Sequence, residues 1–180
     1  MPISYLSTAQ ISHLSTTTIR PLTTTQLASL SASQVAAIST DGIEALDATQ
    51  VHGLSGTQVK GLTATQIPHF ATAVVFDTAQ LLAFSAGQVG ALSSTQLAVL
   101  DASHIAAIGA TQISGLSATN FSGLTGAQVA GLTDSQVRGL TVTQITGLTA
   151  ADMNEFSTTQ VSDFSTTQVR ALSGDKVAQL

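Results

Sequence analysis

The sequence contains no cysteine and no tryptophan, and only 8% of its 180 residues are charged. Because cysteine is absent, the chain has no disulfide, no thiolate metal ligand and no cysteine nucleophile. Five Lys and Arg residues against ten Asp and Glu residues give a net charge of −5. Nucleic acids and anionic membrane surfaces are bound by clustered cations, so this composition argues against both as partners.

Long apolar runs are also missing. No segment reaches the ~18 consecutive apolar residues of a membrane span, and residues 1–5 lack a basic region followed by an apolar stretch. We therefore expect neither a membrane-spanning helix nor a signal peptide in these residues. The hydrophobic fraction of 43% is still large enough to bury a core, and the composition differs from that of a highly charged, disordered chain.

What the sequence has in abundance is a repeat of eight residues, here called an octad. Position one, the anchor, is Leu, Ile or Phe, position two is Ser, Thr, Asp or Gly, and position six is apolar. Residues 132–139, Leu-Thr-Asp-Ser-Gln-Val-Arg-Gly, are a representative copy. The repeat predicts a leader at 1–5 and one array at 6–180, with 21 full octads and a shortened six-residue unit at 70–75.

The residue types at positions two and five predict a short helix in every octad. Ser, Thr and Asp are preferred helix N-caps, and Gln three residues later completes a capping box. Glycine at position eight, as at Gly53 and Gly139, predicts a helix stop with positive φ. A continuous helix would rotate successive anchors by about 80° and form no apolar face. We therefore predict an all-α solenoid with helices at positions three to seven, and a β-solenoid remains the alternative.

Position five is Gln in 15 of the 21 full octads, and we call these residues the Gln column. Glu would close a capping box equally well, yet it occurs at none of these positions. We infer that the column is at least partly buried and forms hydrogen bonds between repeats, because stacked carboxylates would repel one another and would be costly to bury. Repeat duplication with drift is the alternative explanation. The members of the column are Gln10, Gln26, Gln34, Gln50, Gln58, Gln66, Gln80, Gln88, Gln96, Gln112, Gln128, Gln136, Gln144, Gln160 and Gln168.

Six octads carry another residue at position five, namely Thr18, Gly42, His104, Asn120, Asp152 and Lys176. The unit at 70–75 is a further irregularity, since it is two residues short. It predicts a kink or bulge where a partner could dock. The alternative is that the array simply tolerates the loss of two residues here. Asn120 begins a glycosylation sequon, but its place in the repeat makes the match accidental.

No catalytic residue, cofactor-binding residue or metal ligand is predicted. The four histidines, His13, His52, His69 and His104, fall at different octad positions and do not align as ligands. Asp41, Glu44 and Asp47 lack the spacing of a calcium loop, so we interpret them as solvated or capping residues, with Asp47 as an N-cap.

Positions three and seven vary most between copies, and position seven carries Arg20, Lys60, Arg138 and Arg170. This pattern predicts that position seven faces solvent. Because the exposed residues differ from copy to copy, a uniform ligand lattice such as an ice-binding surface is disfavoured.

Runs such as 140–145, Leu-Thr-Val-Thr-Gln-Ile, and 164–169, Phe-Ser-Thr-Thr-Gln-Val, resemble the octapeptide arrays inside very large, repetitive bacterial proteins. The resemblance covers residues 6–180. It implies a segment of an extended secreted or surface protein, adhesin-like in character, in which a non-enzymatic array acts as a spacer or scaffold. A module that binds a protein or a glycan through its exposed face is the alternative.

Neither end of the array shows the polar capping unit that isolated solenoids need. We therefore expect the partners of this array to be neighbouring repeats, either in a longer array or through end-to-end self-association.

Overall fold

The computed structural model describes residues 2–72 and 76–178, and in these ranges the chain is all-helical. It contains twenty short α-helices and two 3₁₀ helices in the described ranges, and no strand. The predicted all-α solenoid is confirmed, and the β-solenoid alternative is excluded for the described part of the chain. None of the helices found there is long and apolar enough to span a bilayer.

The 3₁₀ helices are Ile3–Tyr5 and Ile67–His69. The α-helices are α1 Thr8–Ser12, α2 Thr16–Ile19, α3 Thr24–Ala28, α4 Ala32–Ala36, α5 Thr40–Glu44, α6 Ala48–His52, α7 Gly56–Gly61, α8 Thr78–Ala83, α9 Ala86–Gly90, α10 Ser94–Ala98, α11 Ala102–Ala107, α12 Ala110–Ile113, α13 Ala118–Ser122, α14 Gly126–Ala130, α15 Asp134–Arg138, α16 Val142–Gly147, α17 Ala150–Met153, α18 Thr158–Ser162, α19 Thr166–Arg170 and α20 Gly174–Val177.

Each α-helix begins directly after the residue at octad position two, as α15 illustrates, whereas the octad at 62–69 contains only the 3₁₀ helix Ile67–His69. Thr133 has an extended backbone, with φ −77° and ψ 158°, and its hydroxyl accepts a hydrogen bond from the Gln136 N–H at 3.3 Å. In return the Thr133 N–H donates to the Gln136 side-chain oxygen at 2.7 Å. Both bonds of a capping box are present, so two N–H groups that a helix start leaves without partners are satisfied.

The expected positive φ at the octad-ending glycines is wrong. Gly139 has φ −79° and ψ −7°, and no described residue has a positive φ. The chain leaves each helix in ordinary right-handed geometry and turns through an extended anchor, as at Leu62 with φ −60° and ψ 137°. An extended anchor followed by an extended N-cap makes the bend, so a left-handed residue is not required.

Successive octads wind into a superhelix whose turns stack on one another. The side-chain amide of Gln136 contacts the carbonyl groups of Ile105 and Ile108, which lie 31 and 28 residues earlier. Since 28 residues are three and a half octads and 31 are just under four, each turn takes between three and four octads. Anchors and position-six side chains from all turns form one continuous core.

The octad-ending glycines allow adjacent turns to approach closely. A Cβ atom added to Gly61 would lie 2.6 Å from the Ala32 carbonyl oxygen, and one added to Gly147 would lie 2.6 Å from the Ala118 Cβ. Position eight of one octad therefore packs against position three of the octad three units earlier. At Gly126 the glycine lies at position three instead, and the larger residue of the pair, Glu155, lies at position eight. One small residue in each such pair keeps the distance between turns short.

The two-residue deletion at 70–75 leaves the stacking intact on both sides. Gln88 donates to the carbonyls of Val59 and Leu62, 29 and 26 residues earlier, so both separations are shortened by two. The expected kink or bulge falls on residues 73–75, which lie outside the described residues.

Aromatic anchors surround the shortened unit. The ring centroids of Phe70 and Phe76 are 5.0 Å apart, and those of Phe76 and Phe84 are 4.9 Å apart, both in edge-to-face geometry. This arrangement is favourable for aromatic pairs. The three rings are buried, so they fill the core on either side of the deletion.

The leader takes part in the first turn. Ile3 is buried, and the Ser4 carbonyl accepts a hydrogen bond from the Gln34 side chain at 3.0 Å. The 3₁₀ helix Ile3–Tyr5 thus packs as a partial first unit rather than as a separate tail.

Candidate functional site

The Gln column is the most consistent polar feature of the molecule, and Gln136 shows its full set of hydrogen bonds. The side-chain oxygen accepts from the Thr133 N–H and from the Thr133 hydroxyl, at 2.7 Å and 3.0 Å. The side-chain nitrogen donates to the carbonyls of Ile105, at 2.7 Å, and Ile108. Gln136 is 1% exposed, and all of its polar atoms have partners, which removes the cost of burying an amide.

Twelve members of the column are buried, and each of them bonds to the preceding turn through its side-chain nitrogen. They are Gln34, Gln50, Gln58, Gln66, Gln80, Gln88, Gln96, Gln128, Gln136, Gln144, Gln160 and Gln168. The bonds run from side chain to backbone rather than from side chain to side chain. A carboxylate could accept from the N-cap but could not donate to these carbonyls, which is a direct physical reason for Gln over Glu.

Gln10, Gln26 and Gln112 differ from the rest. Gln10 and Gln26 lie in the first turn and are exposed. They make the capping-box bonds, but neither side chain bonds to another turn within the described residues. Gln112 is half-buried and still bonds to Leu82 at 3.0 Å and to Phe84. Among the described residues, Gln34 is thus the first member of the column that bonds to another turn.

Two of the residues that replace Gln keep its role as a donor. Asn120 donates to the Leu92 carbonyl at 3.0 Å, and Lys176 donates to the Thr146 carbonyl at 2.7 Å. The Asn120 amide is thus engaged inside the array. Its neighbour Phe121 is 1% exposed.

Asp152 can only accept, and it bonds differently. It accepts from the Thr149 N–H at 2.7 Å and from the Ser122 hydroxyl, 30 residues earlier, at 2.5 Å. Burial raises the pKa of Asp152, but hydrogen bonds from Ser122 and Thr149 outweigh it and leave the pKa below its usual range. Burial, followed by the charge of Asp152, raises the pKa of the neighbouring Glu155.

The other three replacements, Thr18, Gly42 and His104, make no side-chain hydrogen bond to a carbonyl of another turn in the described part of the chain. Thr18 lies in the first turn and contacts the Ser15 hydroxyl at 3.0 Å. At Gly42 the space is occupied by Ile19, whose Cδ1 would lie 2.5 Å from an added Cβ.

His104 pairs with its own N-cap, Asp101, at 2.7 Å. The His104 N–H, followed by the His104 side chain, lowers the pKa of Asp101.

Charged side chains are few and lie mostly on the outer surface. Arg20, Lys60, Arg138 and Arg170, all at position seven, are exposed as predicted. Arg138 forms an ion pair with Asp163, which raises the pKa of Arg138. The second carboxylate oxygen of Asp163 is buried and has no partner among the described residues.

Asp41, Glu44 and Asp47, predicted to be solvated or capping residues, divide between these two roles. Asp47 is an N-cap and accepts from the Gln50 N–H at 2.8 Å, as predicted. Asp41 and Glu44 line a shallow cleft of about 290 Å³ together with Arg20 and Thr16. Within residues 2–72 and 76–178, no three His, Asp or Glu side chains converge as metal ligands would.

Sequence reasoning missed the acceptors of the Gln column and the pairing of positions eight and three. Every residue carries a carbonyl group, so no sequence signal identifies the two that Gln contacts. The pairing of positions eight and three is visible in the sequence as a spacing of small residues. Gly61, Gly131 and Gly139 each follow an alanine by 29 residues, namely Ala32, Ala102 and Ala110.

Comparison with known protein families finds no family model that matches the chain, and no curated protein matches it either.

Proposed function

We propose that this chain is a non-enzymatic structural array that acts as a spacer or scaffold in a larger protein, secreted or exposed on a cell surface. The observation that carries the proposal is the repeated bond from the Gln column to the preceding turn, made by buried residues from Gln34 to Gln168. The octad positions that recur from copy to copy all take part in the stacking of turns. The anchor and position six form the core, and the residues at positions two and five cap the helix, while position five also binds the preceding turn. Such nearest-neighbour stacking gives a solenoid its stiffness and lets its length grow with the number of units.

A spacer must hold its ends at a defined distance. Because the sequence contains no cysteine, two introduced cysteines can be labelled selectively with fluorophores, and the distance between them can be measured. Thr17 and Thr167 are exposed and 150 residues apart, which corresponds to about five turns. With turns stacked about 8–10 Å apart, fluorophores on Thr17→Cys and Thr167→Cys should report a separation of roughly 40–50 Å. We expect a narrow distribution of transfer efficiency.

Duplicating residues 116–147, which are four octads, should lengthen this separation by about 8–10 Å for the added turn. The matched control inserts 32 residues of Gly and Ser at the same place, which should broaden the distribution instead. A broad distribution in the parent chain, or an unchanged distance after the octad duplication, would contradict the spacer proposal.

A binding module is the second candidate, and the cleft at Arg20, Asp41 and Glu44 favours it. In a chain with few charged residues, three of them line one concave surface on the outer face of the array. Such a surface fits a polar ligand such as a glycan or a charged peptide. Screening the chain against a glycan array tests the glycan form, and binding that is lost in Arg20→Ala but retained in Arg170→Ala would support it.

A further inference from the structure

The helices α2 and α5 contact each other in adjacent turns, and both lack the Gln that joins other turns. Position five is Thr18 in the octad of α2 and Gly42 in the octad of α5, three octads later. Gly42 is buried against Ile19, whose Cδ1 would lie 2.5 Å from an added Cβ. Glycine inside a helix is destabilising relative to alanine, and departures from the local rules of a fold are typical of functional sites. The contact between α2 and α5 is therefore a candidate for a role other than stacking.

A cleft of about 290 Å³ opens on the outer surface at this contact. Three of its five lining residues are charged, although charged residues make up only 8% of the chain. The lining residues come from α2, α5 and the C-caps of both helices, and they are Thr16, Arg20, Asp41, Glu44 and Ala45.

The three charges of the cleft do not neutralise one another. Only two pairs of described residues form ion pairs within 4 Å, and neither pair includes Arg20, Asp41 or Glu44. Asp41 and Glu44 are three residues apart, which places both carboxylates on one face of α5, whereas Arg20 is the C-cap of α2. The cleft thus offers one cation and two anions to a ligand.

The exposure of the cleft follows from the geometry of the octad and does not depend on where the array begins. Arg20 and Glu44 both occupy octad position seven, and this position also faces solvent at Lys60 and Arg138, in the middle of the array. Turns stack along the axis of the superhelix, whereas position-seven side chains point away from it. A turn preceding α2 would therefore leave the cleft open.

We propose that this cleft binds a basic α-amino acid of the lysine type. Arg20 holds the α-carboxylate, and Asp41 and Glu44 hold the two ammonium groups, so each charge of the ligand meets one of opposite sign. The walls described for the cleft contain no aromatic or large apolar side chain, so the ligand is held by its charges. A neutral glycan would leave all three charges without a partner. The inference goes beyond the spacer role and rests on the binding-module candidate, for which it names a ligand class.

Lysine is titrated into the nitrogen-labelled chain at low ionic strength, and the amide chemical shifts are followed by NMR. Because the ion pairs are exposed to water, we expect weak, saturable binding with a dissociation constant in the millimolar range. The shifts should be concentrated at the five lining residues. Sodium chloride at matched ionic strength is the reference for salt effects. A titration without saturable shifts in the cleft, or with equal shifts at acidic residues throughout the array, overturns the proposal.

Arg20→Gln separates binding in this cleft from a general attraction of cations to an acidic chain. Lysine loses one ion pair in the variant, so its dissociation constant should rise about two- to fivefold. Cadaverine, which is lysine without its carboxylate, is repelled by Arg20 and should bind more tightly to the variant than to the parent. Arg170→Gln is the matched control and should change neither affinity. Changes in the same direction for both ligands in Arg20→Gln would contradict the role assigned to Arg20.

Asp41→Asn with Glu44→Gln removes both partners of the ammonium groups and should abolish saturable lysine binding. Asp134→Asn with Asp175→Asn changes the net charge equally at exposed positions elsewhere and should bind lysine like the parent. Unchanged amide shifts away from the substituted residues establish that each variant is folded. Lysine binding that survives the loss of both cleft carboxylates refutes the site.

Nα-acetyl-lysine, which resembles the last residue of a peptide, distinguishes a free amino acid from a chain end as the ligand. It lacks one ammonium group and should bind more weakly than lysine, and equal binding would contradict a free amino acid. Arg20-dependent binding of a glycan without binding of lysine would refute the ligand class and leave the binding module standing. The label distances that test the spacer are independent of all these results.

Discussion

The side-chain nitrogen of Gln58 lies 2.8 Å from the carbonyl oxygen of Leu30, 28 residues earlier in the chain. A second bond from the same nitrogen reaches the carbonyl of Leu27 at 2.7 Å. One buried amide therefore begins its own helix and binds the preceding turn at the same time. The stability of each turn depends on both functions.

Gln58→Glu should separate the two functions. Glu can still accept from the Ser55 N–H, but its carboxylate would face two carbonyl oxygens at a site that is 3% exposed. We expect a loss of about 3–5 kcal/mol in the free energy of unfolding at neutral pH. Burial raises the pKa of such a carboxyl, so the variant regains stability as the pH falls through that raised value, where the protonated group can donate.

Gln10→Glu is the matched control, because the Gln10 side chain is exposed and bonds to no other turn within the described residues. Thermal denaturation of dilute samples, followed by circular dichroism at several pH values, measures both variants. Extending the substitution to Gln66 and Gln88 should deepen the loss. Equal melting temperatures for the Gln58 variant and the parent at neutral pH would refute the structural role of the column.

Gly147→Ala should destabilise the array even though its backbone conformation suits alanine. The added Cβ would lie 2.6 Å from the Ala118 Cβ, so the two turns would have to separate. Overpacking of this kind costs about 1–3 kcal/mol. The double variant Gly147→Ala with Ala118→Gly exchanges the two side chains and should recover most of the stability.

Gly174→Ala is the control for this series, since an added Cβ there has no neighbour within 4 Å. Helix propensity alone should make it neutral or stabilising by up to about 1 kcal/mol. Denaturant unfolding of the parent and the three variants gives the comparison. If Gly147→Ala were as stable as the parent, close packing would not be the reason for glycine at this position.

Asn120→Gln should stabilise the molecule by restoring the column. Asn120 makes one bond to the Leu92 carbonyl, whereas Gln would also reach the Val89 carbonyl and accept from the Ser117 N–H. The added bonds are worth about 1 kcal/mol each. Thr18→Gln is the control, because it can complete a capping box but lies in the first turn. A gain at position 18 equal to that at position 120 would contradict the importance of the bond between turns.

Asp152→Asn tests the one carboxylate that stands at octad position five in place of Gln. The pKa of Asp152 is lowered in the folded chain, so its charge stabilises the fold above the usual carboxyl pKa, and this contribution is lost as the pH falls through the lowered value. The raised pKa of Glu155 acts in the opposite direction, because its contribution is lost as the pH rises. We expect the variant to be less stable than the parent at neutral pH, by less than about 1 kcal/mol because the carboxylate is partly exposed.

The difference in melting temperature between the parent and Asp152→Asn should shrink as the pH is lowered. Ser122→Ala removes one hydrogen bond to the same carboxylate and should produce a smaller change with the same pH trend. A difference that grows toward low pH would show that the sign of the Asp152 contribution is wrong.

The local structure of the octad follows from its sequence because it depends on neighbouring residues. Thr133, Gln136 and Val137 specify the cap and the apolar contact, and α15 begins and ends where this pattern predicts. The superhelix does not follow in the same way. Its contacts span 28 and 31 residues, neither of which is a multiple of eight, so the repeat period alone cannot reveal which units meet.

The wrong prediction for glycine has a related cause. The rule for isolated helix ends, which predicts a positive φ at Gly139, considers only the backbone of one helix. The actual constraint on Gly139 comes from Ala110 in another turn, whose Cβ and carbonyl oxygen would each lie 3.0 Å from an added Cβ. Contacts between turns decide this position, and they become visible only when the turns are stacked.

The separation between Gln136 and Ile105 also bears on how the chain acquires its structure. The hydrogen bonds of the Gln column reach back at most 31 residues, about one sixth of the 180 residues. Every turn can thus find its partner as soon as roughly thirty further residues have left the ribosome, without waiting for the rest of the chain. Low contact order favours rapid folding and limits the time for which apolar columns are exposed to other chains.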